Sequence, residues 1–273
     1  MKLGYLGPEG SFSYTAAVQY APDATLVGMK TFKEIIAAVE ERKIDQGILP
    51  IENSTEGAVT QVMDALMDTK VSKIQAEMIL QIRHNLLSVE ENIEEVSYVL
   101  SHPQPLEQCR EFFAKHFPQI TLIPCESSSS ACRIAKEKGK SYGAIGNSWA
   151  GKNNGLKVLY KDIQDNVHNQ TRFVIIGEGM TAPTGNDKTS IVFSFHNDAP
   201  GSLYSVLKEF AEENINLSRI ESRPAKIELG KYIFYIDFHG HQEDLKSKKV
   251  LQRIMKKINK LKIFGSYPIG KVW

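Results

Sequence analysis

The strongest constraint on the fold is that short apolar runs alternate with helical patterns over the first 178 residues. This strand–helix rhythm is typical of α/β domains. One series begins with a strand at residues 3–6, and a second begins near residue 96. We predict two α/β lobes around a ligand-binding cleft, lobe one comprising about 1–77 and 160–180 and lobe two about 78–159. The strand at 172–177 is expected to return to lobe one.

The pattern changes after a polar, turn-rich linker at residues 178–188. Residues 188–273 follow the order strand, helix, strand, strand, helix, strand, which is the ferredoxin-like βαββαβ arrangement. The apolar positions of its first helix share one face, and its third strand alternates. We therefore predict a separate C-terminal domain.

Composition narrows the class of protein. The chain is 42% hydrophobic and 24% charged, as in ordinary globular proteins. It has no apolar run of membrane-spanning length and no signal-peptide pattern, so we expect a cytoplasmic protein without membrane contact. The three cysteines include no C-x-x-C pair, which argues against a zinc site or disulfide framework.

Charge is uneven along the chain. Residues 181–273 carry 15 basic and 10 acidic residues, a net charge of +5. Most of the excess lies in residues 245–262, where lysines alternate with apolar residues at helical spacing. Because aromatic residues for base stacking are absent there, we interpret this segment as a solvated helix face and predict no nucleic-acid partner.

Two glycine- or serine-rich junctions are candidate anion sites. Residues 7–13, GPEGSFS, connect a predicted strand to a helix whose free N–H groups could bind a carboxylate; an ordinary capped helix is the alternative. Glu126 and the serines at 127–130 form a similar junction. Their hydroxyls could cap the helix, bind an anion, or do both.

Three further segments place polar side chains at predicted strand ends. Pro50 should end one strand, and Asn53 after it could orient a substrate or belong to a plain turn. His102, within residues 101–104, could act as a general base or be a surface residue. Arg172 could bind a carboxylate or pair with a buried acid such as Asp165.

His239 and His241 share a strand face, but no third metal ligand is evident.

These segments together resemble a known family. GPEGSFS, PIENSTEG, SHPQPLEQC, ESSSSA and DNVHNQTRF occur in the order and approximate spacing of prephenate dehydratases. GSLY at 201–204 and ESRP at 221–224 resemble the ACT domain of that family. Ser11 and Ser130 stand where the family often has threonine, and both keep a hydroxyl.

The resemblance implies a fold and a reaction. It implies a bilobed, periplasmic-binding-protein-like catalytic domain over residues 1–180 and an ACT domain over 188–273. The family converts prephenate to phenylpyruvate, carbon dioxide and water without a metal or organic cofactor. The resemblance assigns Thr171 the contact nearest the leaving hydroxyl, and it assigns Asn53, Ser101 and Gln108 the positioning of the ring substituents. The remaining substrate-binding residues implied are Ser11, Ser13, Glu52, Ser129, Ser130, Asn169, Arg172 and Phe173.

The ACT resemblance implies regulation by phenylalanine, bound between subunits of a homodimer or homotetramer. The matching positions are Gly201, Ser202, Leu203, Glu221, Ser222, Arg223 and Pro224. Two alternatives stay open at this point. One is arogenate dehydratase, with the same chemistry on an aminated side chain; the other is a non-enzymatic amino-acid sensor.

Overall fold

The computed structural model describes residues 1–196, 199–225 and 231–273. These residues form two compact units. The first comprises residues 1–65, 78–173 and 272–273, and the second comprises residues 66–77 and 174–271.

Elements alternate regularly over the first 178 residues, as the sequence predicts. In chain order they are β1 (Lys2–Leu6), α1 (Phe12–Tyr20), β2 (Thr25–Met29), α2 (Phe32–Glu40), β3 (Gln46–Asn53), β4 (Gly57–Ala58), α3 (Thr60–Met67), β5 (Ser72–Gln81), β6 (Asn85–Ser88), a 3-10 turn (Ile93–Glu95), β7 (Tyr98–Ser101), α4 (Pro103–Gln108), α5 (Arg110–His116), β8 (Thr121–Pro124), α6 (Ser128–Lys138), β9 (Tyr142–Gly146), α7 (Ser148–Asn153), β10 (Lys157–Tyr160) and β11 (Gln170–Glu178).

The first sheet has the strand order β2-β1-β3-β11-β5, with β4 paired to β3. β11, which covers the strand expected at 172–177, lies beside β3 in this sheet. Ser11 and Thr31 cap α1 and α2 by accepting hydrogen bonds from Tyr14 N and Glu34 N. These caps explain why α1 begins at Phe12 and α2 at Phe32.

Pro50 does not end its strand, contrary to the sequence prediction. β3 continues through Pro50 to Asn53. Proline is tolerated where a strand lacks a ladder neighbour on one side. The pairing of β3 with β1 extends only to Gly47, three residues before the proline.

The second sheet has the order β10-β6-β9-β7-β8 and is covered on both faces. Successive side chains of a strand point to opposite faces. Leu86 accordingly packs in one core cluster with Phe113 of α5, whereas Leu87 packs in another with Cys132 of α6. The sequence did not predict α7 or β10, which are short and lack a clear apolar period.

The second unit contains the predicted βαββαβ order. Its elements are β12 (Asp187–Ser194), α8 (Ser202–Glu212), β13 (Leu217–Pro224), β14 (Tyr232–His239), α9 (Leu245–Ile254) and β15 (Lys260–Pro268). The sheet order is β13-β14-β12-β15. Its core combines Val206 and Phe210 of α8 with Phe234, Ile236 and Phe238 of β14. The predicted shared core is therefore confirmed.

None of the described helices combines the length and the apolar character that crossing a bilayer requires.

Candidate active site

Side chains from two neighbouring strands form the centre of the candidate site. Asn53 is the last residue of β3, and Asn169 and Thr171 flank Gln170, the first residue of β11. Nδ2 of Asn53 lies 2.9 Å from Oδ1 of Asn169 and 2.9 Å from Oγ1 of Thr171. Asn169 and Thr171 are buried. The sheet thus joins residues more than a hundred positions apart.

The bonds around Asn53 have a defined direction. Its Oδ1 accepts from the backbone N–H groups of Thr55 at 2.9 Å and Glu56 at 3.1 Å. A backbone N–H can only donate, so the amide orientation of Asn53 is fixed by its neighbours. Its Nδ2 therefore donates to both Asn169 and Thr171. The hydrogen of the Thr171 hydroxyl is left for another acceptor.

The turn after Asn53 is tied to the start of β11. The backbone N–H of Ser54 donates to the Gln170 carbonyl at 2.8 Å. In return, Gln170 N donates to Oγ of Ser54 at 2.9 Å, and that hydroxyl donates to the His168 carbonyl at 3.1 Å. These bonds hold Asn53 in register with Thr171.

Gln108, at the end of α4, extends the network. Its Oε1 lies 3.2 Å from Nδ2 of Asn169, and its Nε2 lies 3.4 Å from Oε1 of the exposed Glu56. Three of the four residues to which the family resemblance assigns the main roles, Asn53, Gln108 and Thr171, are therefore members of one hydrogen-bonded network; the fourth, Ser101, is not.

His84 joins the same network, and the sequence analysis missed it. The imidazole is 1% exposed, and its Nε2 lies 2.8 Å from Oε1 of Gln108. Burial lowers the pKa of His84, and the Gln108 contact opposes this only in part. The available signal was a histidine inside an extended apolar stretch, where a buried polar side chain needs a partner.

Arg172 pairs with an acid other than the predicted one. Its Nη1 lies 3.5 Å from Oε2 of Glu52, so two predicted binding residues contact each other. Asp165 is exposed and accepts from the backbone N–H groups of Glu111 and Phe112 instead. A carboxylate at the start of α5 satisfies free N–H groups, which explains why it is unavailable to the guanidinium.

Ser101 lies outside this chain of amides in its described bonds. Its buried hydroxyl contacts Oγ of Ser128 at 3.0 Å and donates to the Ile145 carbonyl at 2.9 Å. Ser11 is also occupied, since its Oγ donates to the Leu6 carbonyl and accepts from Tyr14 N. Both serines have clear structural bonds, and their binding roles stay predictions.

The two predicted anion junctions lie next to each other. A Cβ added at Gly10 would lie 3.3 Å from Oγ of Ser129 and 2.9 Å from the Trp149 ring. Gly10 also has φ +84°, a conformation that favours glycine. Asn147 donates to the Gly10 carbonyl at 2.9 Å. Of the other predicted binding residues, Ser13 and Phe173 are buried, and Ser130 donates its backbone N–H to Oγ of Ser127.

Three histidines singled out in the sequence have other positions. His102 is exposed and caps α4 through Nδ1 at 3.4 Å from Gln104 N. His241 is buried and contacts the Thr181 carbonyl at 3.0 Å, whereas His239 is exposed. Across residues 1–196, 199–225 and 231–273, no cluster of three or more potential metal ligands was found.

The predicted effector residues lie on two elements of the second unit. Gly201 precedes α8 with φ +86°, and Oγ of Ser202 accepts from Ala199 N at 3.2 Å. Leu203 packs against the domain core. Residues 221–224 form the end of β13 and pair with β14, Glu221 opposite Tyr235.

Fold and site together define an α/β protein with two sheets in its N-terminal part and a small C-terminal βαββαβ module. A family model described as prephenate dehydratase matches residues 3–181, and one described as ACT domain matches residues 189–261. The chain belongs to the prephenate dehydratase family.

Individual relatives agree with this placement. A prephenate dehydratase of Methanocaldococcus jannaschii is 38% identical and covers 97% of both chains. The crystal structure of a prephenate dehydratase in complex with L-Phe from Arthrobacter aurescens has a TM-score of 0.88 at 31% identity, covering 98% of this chain and 90% of the other.

One similar structure has a different stated activity. It is titled a novel type of quorum quenching acylase and has a TM-score of 0.89 at 25% identity, covering 98% of both chains.

Proposed function

We propose that this chain catalyses the decarboxylating dehydration of prephenate to phenylpyruvate. Membership of the prephenate dehydratase family supports this reaction. The observation that carries the proposal is the directed chain of neutral amides that ends on the Thr171 hydroxyl.

The chemistry of the substrate fits a neutral site. Prephenate is a cyclohexadiene with a ring carboxylate, a ring hydroxyl and a pyruvyl side chain, and loss of both ring groups makes the ring aromatic. The protein needs to stabilise the departing hydroxyl and hold the two carboxylates. Because Thr171 accepts from Asn53, its own O–H is free to donate to the leaving hydroxyl. We assign it that role, without assigning it the proton transfer itself.

The remaining residues are proposed to position the substrate. Asn53 orients Thr171, and the N–H groups of Gln108 are donors for a substrate oxygen. Arg172, which lies beside Glu52, is proposed to bind a substrate carboxylate, because a guanidinium matches the geometry of a carboxylate. Ser101 and the junctions around Ser11 and Ser129 are proposed to contribute to the same cleft.

An assay with purified protein tests the function directly. The protein is incubated with prephenate at neutral pH, and phenylpyruvate is measured by its absorbance in alkali. We expect enzyme-dependent formation of phenylpyruvate. Folded protein without turnover would reject the proposal and favour an amino-acid sensor. Arogenate in a parallel reaction distinguishes the related dehydratase, which would prefer the aminated substrate.

We further propose that L-phenylalanine inhibits the enzyme by binding to the ACT domain in a cytoplasmic homo-oligomer, either a dimer or a tetramer. The relative crystallised with L-Phe supports the ligand. The ACT match supports the domain. Inhibition requires that phenylalanine bind one conformation better than another. Titration of the activity with phenylalanine, together with light scattering of the oligomer, tests both statements.

A further inference from the structure

The buried His84 raises a question that the roles above leave open. Only one of its ring nitrogens has a polar contact: Nε2 faces Gln108, whereas Nδ1 is buried without a hydrogen-bond partner among the described residues. The ring packs edge-on against Phe12 of α1, with centroids 5.4 Å apart. A neutral imidazole carries one proton, so the two nitrogens must differ.

The Gln108 side determines which nitrogen carries the proton. Asn53 Oδ1 accepts two backbone N–H groups, so its Nδ2 must donate to Oδ1 of Asn169. Asn169 then presents its own Nδ2 to Gln108 at 3.2 Å, and the Gln108 atom there must be the acceptor, Oε1. That same oxygen lies 2.8 Å from Nε2 of His84. The carbonyl oxygen of an amide only accepts, so Nε2 of His84 carries the proton.

The opposite arrangement is unfavourable at both ends of the chain. With the proton on Nδ1, the N–H would be buried without a partner, which is unfavourable. Gln108, Asn169 and Asn53 would then each have to rotate by half a turn to keep their mutual bonds. The final rotation would place the Asn53 amino group against the N–H groups of Thr55 and Glu56. The backbone N–H groups at one end and His84 at the other therefore favour the same direction for the hydrogen bonds between them.

We infer that His84 is a positioning residue, whose neutral imidazole donates from Nε2 to Oε1 of Gln108 and so turns the amino group of Gln108 toward the exposed side of the site. Glu56, which is exposed, already accepts from that amino group at 3.4 Å. The idea that a substrate oxygen replaces Glu56 here rests on the proposed function. The orientation of the Gln108 amide is independent of that function.

The first test needs no activity. Spectra of ¹⁵N-labelled protein report the protonation of each imidazole nitrogen, and the His84 signals are assigned by their loss in His84→Gln. At pH 7 we expect a protonated Nε2 and an unprotonated Nδ1. A proton on Nδ1, or on both nitrogens, would overturn the inference.

The second test asks whether His84 acts through Gln108. His84→Phe keeps the ring shape without the donor, and we expect kcat to fall about tenfold with a smaller change in KM. His84→Gln can place an N–H near the position of Nε2, so kcat should recover to within about threefold of the parent. When His84→Phe is added to Gln108→Leu, kcat should fall by less than about a further twofold. The reason is that the partner of His84 is already gone.

A matched control separates positioning from loss of stability. His241 is also 1% exposed and contacts a carbonyl through Nε2, but lies in the other unit. His241→Phe should lower the melting temperature while kcat without phenylalanine stays within about twofold. If the effects of His84→Phe and Gln108→Leu on kcat multiply, His84 does not act through Gln108. If the parent protein is inactive but Nε2 of His84 carries the proton, the proposed function is rejected and the inferred orientation of His84 and Gln108 stands.

Discussion

The two compact units each contain a buried polar network, and the two networks have opposite chemistry. In the first unit, neutral amides and one neutral imidazole connect Asn53, Gln108 and Thr171. In the second, Nζ of Lys188 lies 2.8 and 3.0 Å from the two carboxylate oxygens of Glu77, whose side chain is 1% exposed.

The difference in charge between the two networks matches a difference in role, with one suited to binding a ligand and the other to holding the fold. Both carboxylate oxygens of Glu77 accept from Lys188, and Gly270 N adds a third hydrogen bond to Oε1 at 3.1 Å. The amide network keeps donors toward its exposed side and adds no charge to a site proposed for a doubly negative substrate. Burying neutral groups also avoids the large desolvation cost of ions. The neutral network is thus suited to a ligand, and the charged one to a fixed arrangement.

The largest effect is expected from breaking the ion pair. Lys188→Met leaves the Glu77 carboxylate buried without its cation, which should lower the free energy of unfolding by about 3–5 kcal/mol. Thermal or urea unfolding measures the loss. The double variant Glu77→Gln/Lys188→Met should recover most of it, because neither charge remains. Equal losses in the single and double variants would contradict this account.

A charge placed in the neutral network should have the next largest effect. Asn53→Asp is isosteric, but it removes both N–H donors and adds a negative charge beside an anionic substrate. We expect kcat/KM to fall by at least about a hundredfold, since a lost site donor alone costs about that much. The melting temperature serves as the check on folding. Retained kcat/KM would show that the neutrality of the network is unimportant.

Removing the Thr171 hydroxyl tests the end of the same chain. Thr171→Ala should lower kcat by at least about tenfold while the fold stays intact, as expected for one lost transition-state contact. Thr171→Ser is the matched control, because it keeps the hydroxyl and should retain most of the activity. Unchanged kinetics in the alanine variant would remove Thr171 from the mechanism.

The smallest change in turnover is expected in the second unit, away from the ion pair. Arg223→Ala, at the end of β13, should weaken phenylalanine inhibition more than it weakens turnover. The ratio of the inhibitory concentrations of variant and parent measures the effect. Unaltered sensitivity to phenylalanine would contradict the assignment of Arg223 to the effector site.

Sequence reasoning predicted the sheets and helices that have a clear period, and it predicted Asn53 and Thr171 as site residues through the family motifs. Strand ends collect polar side chains at one edge of a sheet, which makes such residues recognisable. The motifs did not determine bond directions. Those depend on which backbone N–H groups, such as those of Thr55 and Glu56, face a given amide oxygen.

Other features could not be predicted because they depend on tertiary contacts. His84 follows an extended stretch of the sequence and has the polar neighbours Arg83 and Asn85, and its partner Gln108 is 24 positions away. The sequence alone did not determine which acidic residue pairs with Arg172. The choice of Glu52 over Asp165 follows from α5, whose N–H groups occupy the Asp165 carboxylate.

The bond from Ser54 N to the Gln170 carbonyl also bears on chemical ageing. Asparagine deamidates when the backbone nitrogen of the next residue attacks the side-chain amide, and an asparagine followed by serine is prone to it. In this site that nitrogen is engaged with β11, and both ends of the Asn53 amide are bonded as well. The fold therefore slows the spontaneous conversion of Asn53 to aspartate and isoaspartate, either of which would place a charge in the neutral network.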